Sequence, residues 1–276
     1  MARRFILPAI ALLAACVPLI GCGRVSREDA EAAIDQAALA SQAEALMAQI
    51  VELGGEIPAE GSVEQAAESL ATTIRRRIEC VDATVSADTV QLDFGAPDRP
   101  CAWAGRTLSG CAWLRVLQNT ADTVVVDHYW VTGSERDCHG DDFSDGAMTV
   151  DGTATVTWTT ATGARQVAQH DIVWRQNGAT RTASASGDLI EHALSDPAGV
   201  RFDGSQEWTS DGAAWRVTSG DIALAWDDFL PRSGTHRVID PAGDELIITY
   251  ERDADGRTQV RVEGDGDSFA FEVFER

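Results

Sequence analysis

Short strand-like runs separated by two-residue glycine turns constrain this chain more than any other feature. Asp151-Gly152, Thr162-Gly163, Asn177-Gly178, Asp211-Gly212, Asp255-Gly256 and Asp265-Gly266 fall between segments where β-branched and aromatic residues alternate with polar ones. Strands joined this closely must run antiparallel, because a parallel pair needs a crossover of a dozen residues or more. Thr153 to Thr160 and Arg165 to Arg175 flank one such turn; Glu245 to Arg252 and Arg257 to Glu263 flank another. The predicted fold class is mainly β: an antiparallel meander over residues 80–276, curled into a barrel-like or sandwich-like sheet. Trp158, Trp174, Trp215, Trp226, Ile172, Ile222, Leu224, Ile248 and Phe271 are its candidate buried face. A carbohydrate-binding face is the sharper reading of the eight Trp, and core packing is the one their alternation with Thr, Asp and Arg favours.

Ahead of the meander the periodicity is helical. Residues 27–53 are rich in Ala, Glu and Gln, and Ile34, Leu39, Leu46, Met47, Ile50 and Leu53 approximate one apolar face. Ser26, three residues before Asp29, is the predicted N-cap, and Gly54-Gly55 the stop. Ser62-Val63-Glu64-Gln65 is a capping box opening a second helix to about Ile78, with Val63, Ala66, Ala67, Leu70, Ile74 and Ile78 as its apolar face. Residues 27–79 therefore read as a helical hairpin, packed on itself or on the sheet.

The N-terminus speaks to location. Arg3 and Arg4 precede an apolar run from Phe5 to Ile20, too short for a membrane span and flanked as a secretory signal is. Leu19-Ile20-Gly21-Cys22 then resembles the lipobox of bacterial lipoproteins. That resemblance implies a signal peptide over 1–21, acylation of Cys22, and a lipidated tether over 22–26. Gly23 follows the acylated Cys where an inner-membrane retention Asp might have stood, which by resemblance favours the outer membrane.

Four cysteines remain in the mature chain: Cys80, Cys101, Cys111 and Cys138. In an oxidising compartment they suggest two disulfides, and no Cys-x-x-Cys points to zinc or redox chemistry. Pairing Cys80–Cys101 with Cys111–Cys138 ties neighbouring β segments; Cys101–Cys111 with Cys80–Cys138 is the other arrangement. Asp93-Phe94-Gly95, then Cys101, then the turn from Gly105 to Gly110, resembles a pattern in uncharacterised Gram-negative envelope lipoproteins with a β-sheet domain. The resemblance, over about residues 80–129, favours Cys80–Cys101 and implies shared architecture without an activity.

Charge narrows the partners. The chain holds 22 Arg, no Lys and 44 acidic residues. Loss of Arg3 and Arg4 with the signal takes the net charge from −22 to −24. So negative a surface argues against nucleic acid and anionic headgroups as partners. Without Lys there is no Schiff base, P-loop or Ser-x-x-Lys acylase. The five His share no ligand spacing, and no Gly-x-Ser-x-Gly or His-Glu-x-x-His occurs, so no catalytic residue, cofactor or metal is assigned. The weak calcium candidates are Asp137, Asp141, Asp142 and Asp145, whose plainer reading is a solvated acidic loop. The expected function is a membrane-anchored envelope lipoprotein with a non-enzymatic structural or interaction role. The alternatives are a β domain binding a hydrophobic ligand or, behind it, a secreted hydrolase.

Overall fold

Both helices begin at the serine caps the sequence marks. In the computed structural model, which describes residues 25–55, 57, 61–130, 143–146, 148–159, 165–176, 182–195, 198–210, 212–226, 228, 230–253 and 257–273, α1 spans Arg27–Gly54 and α2 spans Val63–Arg77. Ser26 Oγ accepts the Asp29 N–H at 3.1 Å while Asp29 accepts the Ser26 N–H at 2.9 Å. Ser62 and Gln65 repeat the exchange at 3.3 and 3.0 Å. Each box satisfies two N–H groups that a helix start leaves unpaired. Arg75, Arg76 and Arg77 close α2, where cations meet the negative end of the helix dipole. No helix of the described residues is long and apolar enough to cross a membrane.

The strands are β1 (Asp82–Ser86), β2 (Thr89–Asp93), β3 (Cys101–Trp103), β4 (Arg106–Leu108), β5 (Cys111–Asn119), β6 (Thr123–Trp130), β7 (Phe143–Ser144) and β8 (Met148–Thr159). They continue as β9 (Arg165–Gln176), β10 (Thr182–Ser195), β11 (Ala198–Ser210), β12 (Ala213–Ala225), β13 (Ser233–Ile239), β14 (Glu245–Arg252), β15 (Thr258–Gly264) and β16 (Asp267–Val273). All but β3, β4 and β7 follow one another in a single antiparallel sheet in chain order, β7 pairs with β8, and β3–β4 form a separate hairpin. The mainly-β expectation with helices first is met. Inward positions alternate as expected: Val124, Val126, His128 and Trp130 on β6, and Leu246, Ile248 and Tyr250 on β14. Ile222, Leu224, Ile248 and Trp226 of the expected core are buried, and Trp158, Trp215 and Phe271 pack against it. The side chains of Ile172 and Trp174 lie outside the described residues.

One turn reading is corrected. Asp151-Gly152 lies inside β8, where Gly152 pairs with Trp130 on one side and Ile172 on the other. Its φ of 140° suits glycine in a locally distorted strand rather than a chain reversal.

The path of α1 organises the core. Its first residue, Arg27, lies 4.8 Å over the Phe271 ring of β16. Ser41 bonds His236 of β13 at 3.1 Å, Glu44 bonds Gln206 of β11, and a Cβ at Gly54 would fall 2.5 Å from the Trp158 indole of β8. The helix thus runs across the strands, from β16 to β8. Eight inter-strand spacings come to about 38 Å, and the rise from Arg27 to Gly54 is about 40 Å. Twenty of its 28 residues are buried, and beyond Gln36 only Gln42 and Glu52 are partly exposed. Alanines let the backbone lie close to the sheet. Meanwhile α2 covers β1, β2 and β5. The two helices therefore pack on the sheet, and they share one hydrophobic core with it.

Cys80 and Cys101 form a disulfide that ties the segment after α2 to the β3–β4 hairpin. This excludes the Cys101–Cys111 arrangement. Cys111 is also disulfide-bonded, while Cys138 lies outside the described residues. Replacing Cys80 and Cys101 together by Ser is expected to cost about 3 kcal/mol, the chain-entropy value for a loop of this size. Urea unfolding of the variant against the wild-type protein under non-reducing conditions reads that difference.

Candidate functional site

Beneath α1 lies a line of polar groups that a helix–sheet interface ordinarily excludes. Ser41 Oγ is 3.1 Å from His236 Nε2, and Ser219 Oγ is 3.1 Å from His236 Nδ1. Ser41 Oγ also donates to the Ala37 carbonyl at 2.9 Å. With that hydroxyl proton committed, a consistent assignment has Nε2–H donating to Ser41 and Nδ1 accepting from Ser219. Ser219 and His236 stand directly opposite each other on β12 and β13. All three residues are buried, and burial lowers the His236 pKa from 6.5 to about 3, so the ring is neutral. Phe202 and Tyr250 flank the ring, and burial raises the Tyr250 phenol above its ordinary value.

One helical turn on, Glu44 meets Gln206 of β11, whose amide donates to its carboxylate. Burial first, and the neighbouring Glu191 carboxyl second, raise the Glu44 pKa well above 4.5, against the pull of Gln206. Glu191 and Gln206 are themselves buried, at 2% and 4% exposure. Sequence reasoning missed both clusters. Their signal was a lone glutamate, Glu44, in the otherwise apolar run from Ala43 to Ala48.

The arrangement resembles a catalytic dyad only in its elements. A Ser–His pair at 3.1 Å has the contact a nucleophile needs, but Ser219, a neutral hydroxyl, stands where an orienting carboxylate would be. These groups also lie between helix and sheet, with no more than 8% of any residue exposed. Together Ser41, His236 and Ser219 join α1 to β13 and β12.

Space for a ligand lies instead at the far end of α1. A cavity of about 340 Å³, partly open to solvent, sits between the last turns of α1, the end of α2, the β3–β4 turn and the edges of β11 and β12. Gln49, Glu52, Arg77, Trp103, Ala198 and Trp226 line it with the Ala104–Gly105 turn. Gln49 donates through Nε2 to the Ala104 carbonyl at 3.3 Å, and its buried Oε1 has no hydrogen-bond partner among the described residues.

The expected site residues fare unevenly. Cys22 lies outside the described residues, as do Asp137, Cys138, Asp141 and Asp142. Asp145 serves the fold: it pairs with Arg106 in a largely buried ion pair and accepts the Met148 N–H at 2.8 Å. Among the described residues, no three His, Cys, Asp or Glu side chains are placed to hold a metal. His128 is buried and stacked on Trp130 of the same strand, and His192 is half-buried on β10. His128 and His236 stand on strands six places apart in the sheet.

Compared with known proteins, the chain matches no family model, and neither a curated protein nor a solved structure is significantly similar to it.

Proposed function

We propose that this chain is an exported lipoprotein, cleaved after residue 21, acylated on Cys22 and held at the outer membrane. Its sheet domain has a non-enzymatic structural or interaction role there. The observation that carries this reading is where the chemically capable side chains sit. Ser41, Glu44, Glu191, Ser219 and His236 are buried where α1 meets the sheet, where no substrate approaches, and the Ser41–His236 and Glu44–Gln206 contacts dock the helix. An oxidised Cys80–Cys101 pair supports an extracytoplasmic compartment. The start of α1 at Arg27 supports a short tether, leaving only a few residues between the acylated Cys and the domain.

Detergent phase separation of cell extracts tests the anchor. Wild-type protein is expected in the detergent phase and the Cys22→Ala variant in the aqueous phase; equal partitioning of the two overturns it.

A binding role is favoured over a purely structural one by the cavity at the end of α1. The hydrophobic-ligand alternative had placed its ligand inside the curl of the sheet, which α1 fills. Room for a bound molecule lies instead in that cavity, which Trp103 and Trp226 both line.

A further inference from the structure

We propose that the cavity at the C-terminal end of α1 binds a neutral sugar of one or two pyranose rings. The inference deepens the interaction role proposed above and does not depend on the anchor. Its first support is the wall material. Trp103 and Trp226 both line the cavity, Trp103 half-buried and Trp226 at 8% exposure. Flat aromatic faces of this kind pack on the C–H face of a pyranose, which is apolar although the ring's edge is polar.

The second support is the charge around the cavity. Glu52 and Arg77 carry opposite signs, so a charged ligand drawn to one is repelled by the other. A neutral polyol is repelled by neither, and its hydroxyls donate to the Glu52 carboxylate. The chain's net charge of −22 further disfavours anionic amphiphiles such as fatty acids. Gln49 adds a buried acceptor, Oε1, that lacks a partner among the described residues and that a ligand hydroxyl satisfies.

Third, the cavity is built rather than incidental. Trp103 sits on a hairpin outside the main sheet, whose turn places Ala104 and Gly105 at φ 48° and 80°. Alanine rarely adopts that conformation, and three contacts hold the hairpin there: the Cys80–Cys101 disulfide, the Gln49 amide on the Ala104 carbonyl, and the Arg106–Asp145 ion pair. Walls held in place before binding lower its entropic cost. The 340 Å³ volume is at the small end of the ligand-pocket range, about 300–1,000 Å³, which suits one or two rings better than a long acyl chain. Glu52 also lies about 38 Å along α1 from Arg27, at the opposite end of the helix from the proposed tether.

Saturation-transfer NMR on the full-chain protein tests the proposal, with N-acetylglucosamine, its β1,4 dimer, glucose and maltose each at millimolar concentration. Transfer to ring protons of at least one sugar is expected, with affinity reduced at least tenfold in Trp103→Ala and in Ala198→Trp. The second variant removes no existing contact: Ala198 is exposed at the rim, and the indole fills the cavity. No transfer to any of the four sugars overturns the proposal, as does transfer that survives Ala198→Trp. Binding of the neutral apolar dye N-phenyl-1-naphthylamine, blocked by Ala198→Trp, with no sugar bound, assigns the cavity to a hydrophobic ligand instead. The anchor is read by detergent partitioning and the cavity by NMR, so either reading can fail alone.

Discussion

Truncating Leu46 to alanine is expected to lower the unfolding free energy by about 2–5 kcal/mol, the range for buried Leu→Ala changes. Leu46 is fully buried in the stretch of α1 that is enclosed by the sheet. The loss combines the transfer free energy of the removed methyls with the cost of a cavity the surroundings cannot close. Because α1 crosses the strands, a gap there is bordered by several of them, and no single rigid-body shift fills it. Asp35→Ala, on the exposed face of the first third of the helix, is the matched control and should stay within about 0.5 kcal/mol. Urea unfolding of both variants reads the contrast. Equal, small losses would mean that α1 lies on the surface.

Replacing Glu44 by Gln is expected to stabilise the protein increasingly as pH rises. The folded-state pKa of Glu44 is raised above 4.5, chiefly by burial and next by Glu191. Below 4.5 both folded and unfolded states hold the proton, and the variant matches the wild-type protein. Above 4.5 the unfolded chain ionises while the folded chain does not, so wild-type stability falls until the folded-state pKa is passed. The gap between variant and wild type should therefore widen by about 1.4 kcal/mol per pH unit over that window. His236 has the opposite sign of effect in acid. Its folded pKa is lowered to about 3 from 6.5, so between those values only the unfolded state binds the proton and stability drops as pH falls. His236→Gln should flatten that acid limb by a similar slope. Unfolding midpoints of the three proteins from pH 3 to 9 check both signs; parallel curves would show that neither group is buried as described.

Much of this architecture is legible in the chain because its signals are local. The Ser26 and Ser62 caps need only the residues three places on, and a two-residue connection such as Asp265-Gly266, between β15 and β16, dictates antiparallel neighbours. Asp151-Gly152 misled for the same reason: the pair carries turn chemistry, but only the partners on both sides, Trp130 and Ile172, place it within a strand. The burial of α1 on nearly all sides is likewise tertiary. An Ala-rich segment with a weak apolar stripe reads as amphipathic until its burial against the sheet is known. The Ser41–His236–Ser219 contact joins residues up to 195 positions apart and has no sequence motif. Gln49, Trp103 and Trp226 converge only after the hairpin is folded back and pinned by its disulfide.

Intact mass spectrometry of the membrane-extracted protein, beside its Cys22→Ala variant, tests the central claim most directly. The account predicts a mature chain starting at Cys22 and carrying diacylglycerol and acyl mass, with that added mass absent from the variant. A wild-type protein without lipid mass, recovered from the soluble fraction, would contradict it.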